Sequence, residues 1–262
     1  MHMIEVDRVD LICGGRAILR EVNLCVGRGK CCALVGPNGS GKSTLLSVMA
    51  GYTWPTSGQV RVAGQVFGKV NLAEVRRHIG LIEPSRMPGF NERMALRELV
   101  ATGFFGSIVI PIGAEIGPEQ WSKVVAGIEA LGLAGRERDV FAMLSTGEQM
   151  KALIARAMVS GANVLLLDEP TVGLDIGARA AFMKTLDELL SSPQSPTVVI
   201  VSHHLDELPL NVEAVVLMKD GAIFDAGRPE HVLTSEKLSI LYGCDVHVFR
   251  RDGRYAASVG GA

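Results

Sequence analysis

A chain of 262 residues, 48% hydrophobic and 21% charged, can bury a substantial core and is not a disordered or low-complexity sequence. Its formal net charge of -2 and pI near 6.3 give no general electrostatic reason for nucleic-acid binding, and none is expected. The five cysteines (Cys13, Cys25, Cys31, Cys32 and Cys244) are odd in number and form no C-x-x-C pair, which fits a reducing cytoplasmic compartment rather than a disulfide framework.

In chain order, Glu5, Asp7, Arg8 and Asp10 interrupt any early apolar run, so no secretory leader is expected. Ile18-Leu19 and Val22–Val26 are strand-like. Cys31–Val35 is a continuous apolar run, and Thr44–Ala50 looks helical. Cys25, Cys31 and Cys32 lie in these apolar runs and are read as small buried thiols. Gly58–Gly64 alternates like a half-buried strand, and Ile79–Ile82 is a short buried strand ended by Pro84. Arg76, Arg77 and His78, just before it, are read as a solvated helix end.

From about residue 85 to 160 the texture is mainly helical, with helices expected over Arg93–Thr102, Pro118–Leu133 and Thr146–Ser160. The most membrane-like segment, Phe104–Ile112, is far short of the roughly 20 residues a span requires. Membrane work would therefore need spans from another polypeptide. Val164–Asp168 and Thr197–Ser202 are built on the continuous apolar runs Val164–Leu167 and Val198–Val201, as in strands covered on both faces, and the helix Ile176–Leu190 between them completes a β-α-β unit. Val246–Arg250 and Arg254–Ser258 flank Arg251-Asp252-Gly253 and predict a terminal hairpin. Met143, Met150 and Met158 are read as core or interface filler.

The chemistry concentrates in Gly36-Pro37-Asn38-Gly39-Ser40-Gly41-Lys42-Ser43-Thr44, placed between a strand and a helix. Glycines let the backbone curl so that successive N–H groups face an anion, and Lys42 adds a full positive charge. Ser43 offers a hydroxyl to the magnesium ion that accompanies a nucleotide. Asp168, at a strand's carboxyl end, can reach the same ion. Glu169, on the other side of an extended backbone, can polarise a water attacking the terminal phosphate. His203 follows another strand end and can hydrogen-bond that phosphate. His204 is given a capping or surface role.

Together these features resemble the ATP-binding-cassette (ABC) ATPases. Leu144-Ser145-Thr146-Gly147-Glu148-Gln149 is similar to the family's LSGGQ signature, Gly173-Leu174-Asp175 to its D-loop, and Ser202-His203 to its switch histidine. The motifs stand in family order across nearly the whole chain. The resemblance implies an α/β P-loop NTPase cassette: a mainly parallel core sheet, an antiparallel β subdomain and an inserted α-helical subdomain. Residues 1–84 and 161–262 would form the ATP–Mg²⁺ core with its C-terminal hairpin, and 85–160 the signature subdomain. It further implies a head-to-tail homodimer in the ATP-bound state, with Ser145, Gly147, Glu148 and Asp175 meeting the partner's nucleotide. Transmembrane permease subunits would hold the cassette at the inner face of the membrane.

The sequence departs from the pattern at several places. Thr146 stands where the signature has glycine, and Glu148 where it has glutamine. Cys13-Gly14-Gly15 occupies the neighbourhood of the usual adenine-stacking aromatic, so no residue takes that role. Ile82-Glu83-Pro84-Ser85 has no Q-loop glutamine, and neither Glu83 nor Ser85 is assigned its task. Thr102–Ile108 and Leu144–Met158 resemble stand-alone or molybdenum-associated cassettes. Gly227–Leu233, Tyr242-Gly243 and Val246–Tyr255 resemble the ATPases of metal-chelate and vitamin importers. The leading reading is the ATPase subunit of a transporter. A soluble regulatory or stress-related ATPase without a transport partner, and a weakly active nucleotide-dependent scaffold, are the alternatives.

Overall fold

The computed structural model describes residues 2–84, 91 and 93–260. Strands β1 (His2–Cys13) and β2 (Arg16–Gly27) form a long antiparallel hairpin through Gly14-Gly15, both at positive φ. β4 (Ser57–Val62) pairs with the other edge of β1, and β5 (Gln65–Val66) closes this antiparallel sheet in the order β2-β1-β4-β5.

The central sheet contains β3 (Cys31–Val35), β6 (Ile79–Ile82), β7 (Val164–Asp168), β8 (Thr197–Val201), β9 (Ala214–Lys219) and β10 (Ala222–Gly227). Its order is β10-β9-β3-β8-β7-β6. All pairs are parallel except β10 with β9. β3, β7 and β8 are buried at every residue, which is why their sequences are apolar without alternation.

Successive side chains nevertheless divide between two cores. Cys31, Ala33, Val35, Leu165 and Leu167 face the helices α3 (Leu96–Ala101), α4 (Pro118–Ala130), α5 (Thr146–Val159) and α6 (Ile176–Leu190). Cys32, Leu34, Val164 and Leu166 face α1 (Lys42–Met49) and the antiparallel sheet. Leu45, Leu46 and Met49 anchor α1 there. At about 1.5–3 kcal/mol for each fully buried side chain, they hold the start of the helix firmly beneath the loop that precedes it.

The remaining helices are α2 (Leu72–Arg76), α7 (Pro229–Val232) and α8 (Ser235–Tyr242), and β11 (Val246–Arg251) with β12 (Arg254–Val259) forms the expected terminal hairpin. Asp252 and Gly253 both have positive φ at its turn. Among the described residues, no helix is long and apolar enough to cross a membrane.

Several sequence expectations are corrected. The helix expected over Arg93–Thr102 shortens to α3, because Ala95 bridges Val140 and the Leu96 N–H donates to Asp139 O. A 3-10 turn follows over Thr102–Phe105. The helix expected to reach Leu133 stops at Ala130, and Gly132 takes positive φ. Cys31 and Cys32 are buried, and burial pushes the Cys32 thiol up to about 12. Cys25 is exposed, because β2 turns Leu24 and Val26 inward and the residue between them outward. α2 does end at Arg76, with Arg77 and His78 exposed, but Arg76 itself is half-buried: its guanidinium lies 4.5 Å from the Tyr52 ring centroid and donates to Gly51 O. Met150 fills the core, whereas Met143 is 81% exposed.

Candidate active site

β3 runs into Gly36, where the chain has no room for a side chain. A Cβ there would lie 2.2 Å from Met218 O of the adjacent strand β9. The loop then curls with Ser40 N–H donating to Pro37 O at 3.2 Å, and α1 begins as Leu45 N–H donates to Gly41 O at 2.8 Å. Gly41 combines positive φ with a would-be Cβ only 2.9 Å from the Leu19 side chain. Gly221 N–H donates to Ser40 O, and Arg20 N–H to Gly221 O, so the loop is braced by β2 through the β9–β10 turn.

Lys42, the first residue of α1, turns back over the curl. Its ammonium donates to Gly36 O at 2.8 Å and to Pro37 O at 2.9 Å. Burial pushes the Lys42 pKa down, while Glu169 and Asp168 draw it up. Ser43 Oγ donates to Asp168 Oδ1 at 3.1 Å, joining α1 to the end of β7. Asp168 is only 7% exposed. Burial first, then the neighbouring Glu83 and Glu169, raises its carboxyl above the ordinary range against the Ser43 hydrogen bond and Lys42.

Glu169 corrects the sequence reading. Its backbone is not extended but left-handed, at φ +49°. For a residue with a Cβ this costs about 1–2 kcal/mol. The turn is held by Glu169 N–H donating to Val201 O at 3.1 Å, and the carboxylate lies in direct contact with His203 Nε2. Strand ends β7 and β8 thus bring the Glu169 carboxylate and the His203 imidazole together. His204 is exposed, starting a 3-10 turn without a side-chain cap.

These groups surround a cavity of about 530 Å³. Asn38, Gly39, Gly41–Thr44, Glu169, His203 and Arg16–Ile18 are among the residues that line it. A smaller cavity of about 160 Å³ shares Ser43 and Glu169 and is lined also by Glu83, Pro84 and Asp168. Gly36, Pro37 and Ser40 line neither and serve as the backbone of the curl. Sequence reasoning missed Arg16, Arg20 and Asp220, which reach the larger cavity from β2 and the β9–β10 turn. Only the pairing of Gly14-Gly15 just before Arg16 hinted at a turn there. Ser85 lies outside the described residues.

The signature residues are built around a helix start. Ser145 caps α5, and Glu148 accepts from its N–H and hydroxyl, each at 2.9 Å. Burial opposes it, yet the Ser145 bonds and Arg136 hold the Glu148 carboxyl below the ordinary range. Gly147 is buried against Ala178 and Leu174, while Thr146 is exposed. Asp175 caps α6, its Oδ1 accepting from Ala178 N–H at 2.8 Å. None of Ser145, Gly147, Glu148 and Asp175 lines either cavity.

A family model described as ABC transporter matches residues 19–172, more than half of the chain. The chain belongs to the ABC transporter ATP-binding family. An uncharacterized ABC transporter ATP-binding protein, YlmA of Bacillus subtilis (strain 168), is 31% identical over 253 residues, covering 96% of this chain and 95% of the relative. The petrobactin import ATP-binding protein YclP of the same organism is 28% identical, covering 94% and 95%. A solved dimeric structure of an ATP-binding cassette in a post-hydrolysis state with ADP and Pi matches with a TM-score of 0.72 at 25% identity, covering 86% of this chain and 98% of that one. This ABC cassette is therefore the ATP-binding, ATP-hydrolysing subunit of a transporter, which the relatives favour over a stand-alone ATPase.

Proposed function

We propose that this ABC cassette hydrolyses Mg–ATP at the loop Gly36–Thr44, with Glu169 as general base and His203 at the terminal phosphate. The observation that carries this reading is the meeting of Lys42, the Ser43–Asp168 pair and the Glu169–His203 pair on one cavity system. The amides of Gly39 and Gly41–Thr44 and the Lys42 ammonium bind the phosphates. Glu169 accepts the proton of a water as its oxygen bonds to the terminal phosphorus. The bond to the ADP oxygen then breaks with its electron pair, releasing ADP and phosphate.

The donor set fits magnesium. Ser43 Oγ and Asp168 Oδ1 are hard oxygens 3.1 Å apart. Among the described residues no cluster of three His, Cys, Asp or Glu stands ready for a metal. The hard oxygens of Ser43 and Asp168 suit an ion that keeps waters and takes nucleotide oxygens. Bound there by Ser43 and Asp168, Mg²⁺ would neutralise charge on the phosphates.

The site is completed in this reading by a second copy of the chain. Ser145, Gly147, Glu148 and Asp175 lie off their own cavity, and α5 is a 14-residue helix whose capped start can turn its positive end toward a partner's phosphate. Residues 85–160 act as the signature lobe on a core of 1–84 and 161–262. ATP contacting both copies favours closure, and hydrolysis removes that bridge. The relative named for petrobactin import supports a subunit held peripherally by a permease that imports a compound of that kind.

The test is Glu169→Gln, which keeps the shape of the side chain and removes the base. Steady-state hydrolysis is expected to fall about 10²- to 10⁴-fold while ATP binding persists. Unchanged turnover would remove Glu169 from the mechanism.

A further inference from the structure

Four residues beyond His203 lies a carboxylate that the hydrolytic reading does not use. Glu207 is 4% exposed, in a 3-10 turn over Leu205–Glu207. A carboxylate so deeply buried is costly unless each oxygen is satisfied. Glu207 divides its two oxygens between different elements. Oε2 is 2.8 Å from the Ser202 hydroxyl, and Oε1 is 3.2 Å from the Arg179 guanidinium on α6.

Ser202 is the residue before His203 and is 1% exposed. Its oxygen also accepts the His204 N–H at 3.0 Å, and the His204 carbonyl stands 3.1 Å away. A hydroxyl has one proton to give, and a carboxylate is the stronger acceptor. The proton therefore goes to Glu207, which leaves the Ser202 lone pairs for the His204 amide. The residues on both sides of His203 are thus fixed by one hydroxyl, and that hydroxyl is fixed by Glu207. Glu207 N–H donating to His204 O at 3.3 Å closes the same turn from its other end. On the far side, Arg179 N–H donates to Asp175 O at 2.9 Å, within the first turn of α6.

We propose that Glu207 is a positioning residue for His203: linking Ser202 to Arg179, it fixes the turn that holds the imidazole against Glu169. The inference rests on the assignment of His203 to the hydrolytic site. It names a residue that never touches the nucleotide, and its effect must run through the imidazole.

The experiment compares wild type with Glu207→Ala, Ser202→Ala, His203→Ala and the doubles H203A/E207A and H203A/S202A. Mg–ATP hydrolysis is followed in steady state and in single turnovers, alongside equilibrium ATP binding and thermal unfolding. E207A and S202A are each expected to lower kcat about 10- to 100-fold, the scale of a roughly 1 Å misplacement, with KM and ATP affinity nearly unchanged. On the H203A background neither should lower the rate further, because both act through the group already removed. S202A deletes a single oxygen and carries the test if E207A does not fold.

Wild-type kcat in S202A and in folded E207A would overturn the proposal. So would equal, additive losses with and without His203, since those mark a merely structural role. Unchanged hydrolysis in H203A itself would instead overturn the assignment of His203, a distinct result.

Discussion

Gly36→Ala tests the architecture of the site at the place where the geometry is least forgiving. The added Cβ would fall 2.2 Å from Met218 O. A non-bonded carbon–oxygen contact needs about 3.3 Å, so the substitution is about 1.1 Å short. Met218 cannot retreat: it is fully buried in β9, which pairs with β3 on one side and β10 on the other. The loop must move instead. Overpacking of this kind costs about 1–3 kcal/mol, or about 2–12 °C in unfolding midpoint for a chain of this size. A loop displaced by about 1 Å also loses on the order of 10²-fold in hydrolysis. Calorimetric unfolding and a phosphate-release assay read the two effects separately. Gly64→Ala is the control, because Gly64 has positive φ but nothing within 4 Å of its would-be Cβ. It should cost about 1 kcal/mol and leave turnover intact. Wild-type stability and turnover in G36A would refute the close approach of β3 and β9 at this point.

Two more predictions follow from burial and charge. Asp168→Asn should abolish hydrolysis yet raise the unfolding midpoint of nucleotide-free protein at pH 8, because burial raises the Asp168 carboxyl and ionising it in the folded state is unfavourable. A carboxyl raised above its unfolded value of 3.8 contributes its stability below that pH and loses it as pH rises through the folded value, so the advantage of Asn should shrink as pH falls toward 4; a lower midpoint for D168N at pH 8 would contradict this. A thiol reagent should find Cys13, Cys25 and Cys244 in native protein and all five cysteines only after unfolding. Cys25 should react more slowly than Cys13, since burial and then the charges of Glu5 and Asp7 raise its thiol; native labelling of Cys31 or Cys32 would mean the β3 core is open.

What the sequence discloses depends on whether the relevant physics is local. Cys31–Val35 and Val164–Leu167 were legible because strands covered on both faces run apolar without alternation, whereas β6 at the sheet edge is buried only at Gly80 and Ile82. The loop Gly36–Thr44 was legible because its glycines, lysine and serine act at fixed short spacing. The side taken by Cys25 was not, since an apolar run does not say which residue faces out until β2 has a register against β1. The start of α3 depends on Ala95 pairing with Val140, a contact across 45 positions. Arg16 and Asp220 reach the larger cavity only because the β2 hairpin and the β9–β10 turn fold over the loop. The left-handed turn at Glu169 defeats any local rule, because β-region backbone is the default after a strand and the bond that sustains the alternative from across the sheet, to Val201 O, comes from a distant segment.

That turn and the posture of Lys42 suggest how binding is coupled to chemistry. The Lys42 ammonium rests on two neutral carbonyls, Gly36 O and Pro37 O. A triphosphate offers charged oxygens in exchange, and charge-assisted hydrogen bonds are roughly twice as strong as those to neutral acceptors. The Glu169–His203 contact is an exchange of the opposite kind. While the carboxylate is engaged with the imidazole, that contact occupies one of its oxygens, Oε1. In the proposed reaction, a terminal phosphate that draws His203 toward itself would free that oxygen at the moment a substrate is present. The base would thereby be freed by the ligand it acts on, and a fixed His203 turn would make that exchange depend on the phosphate rather than on chance motion of the imidazole.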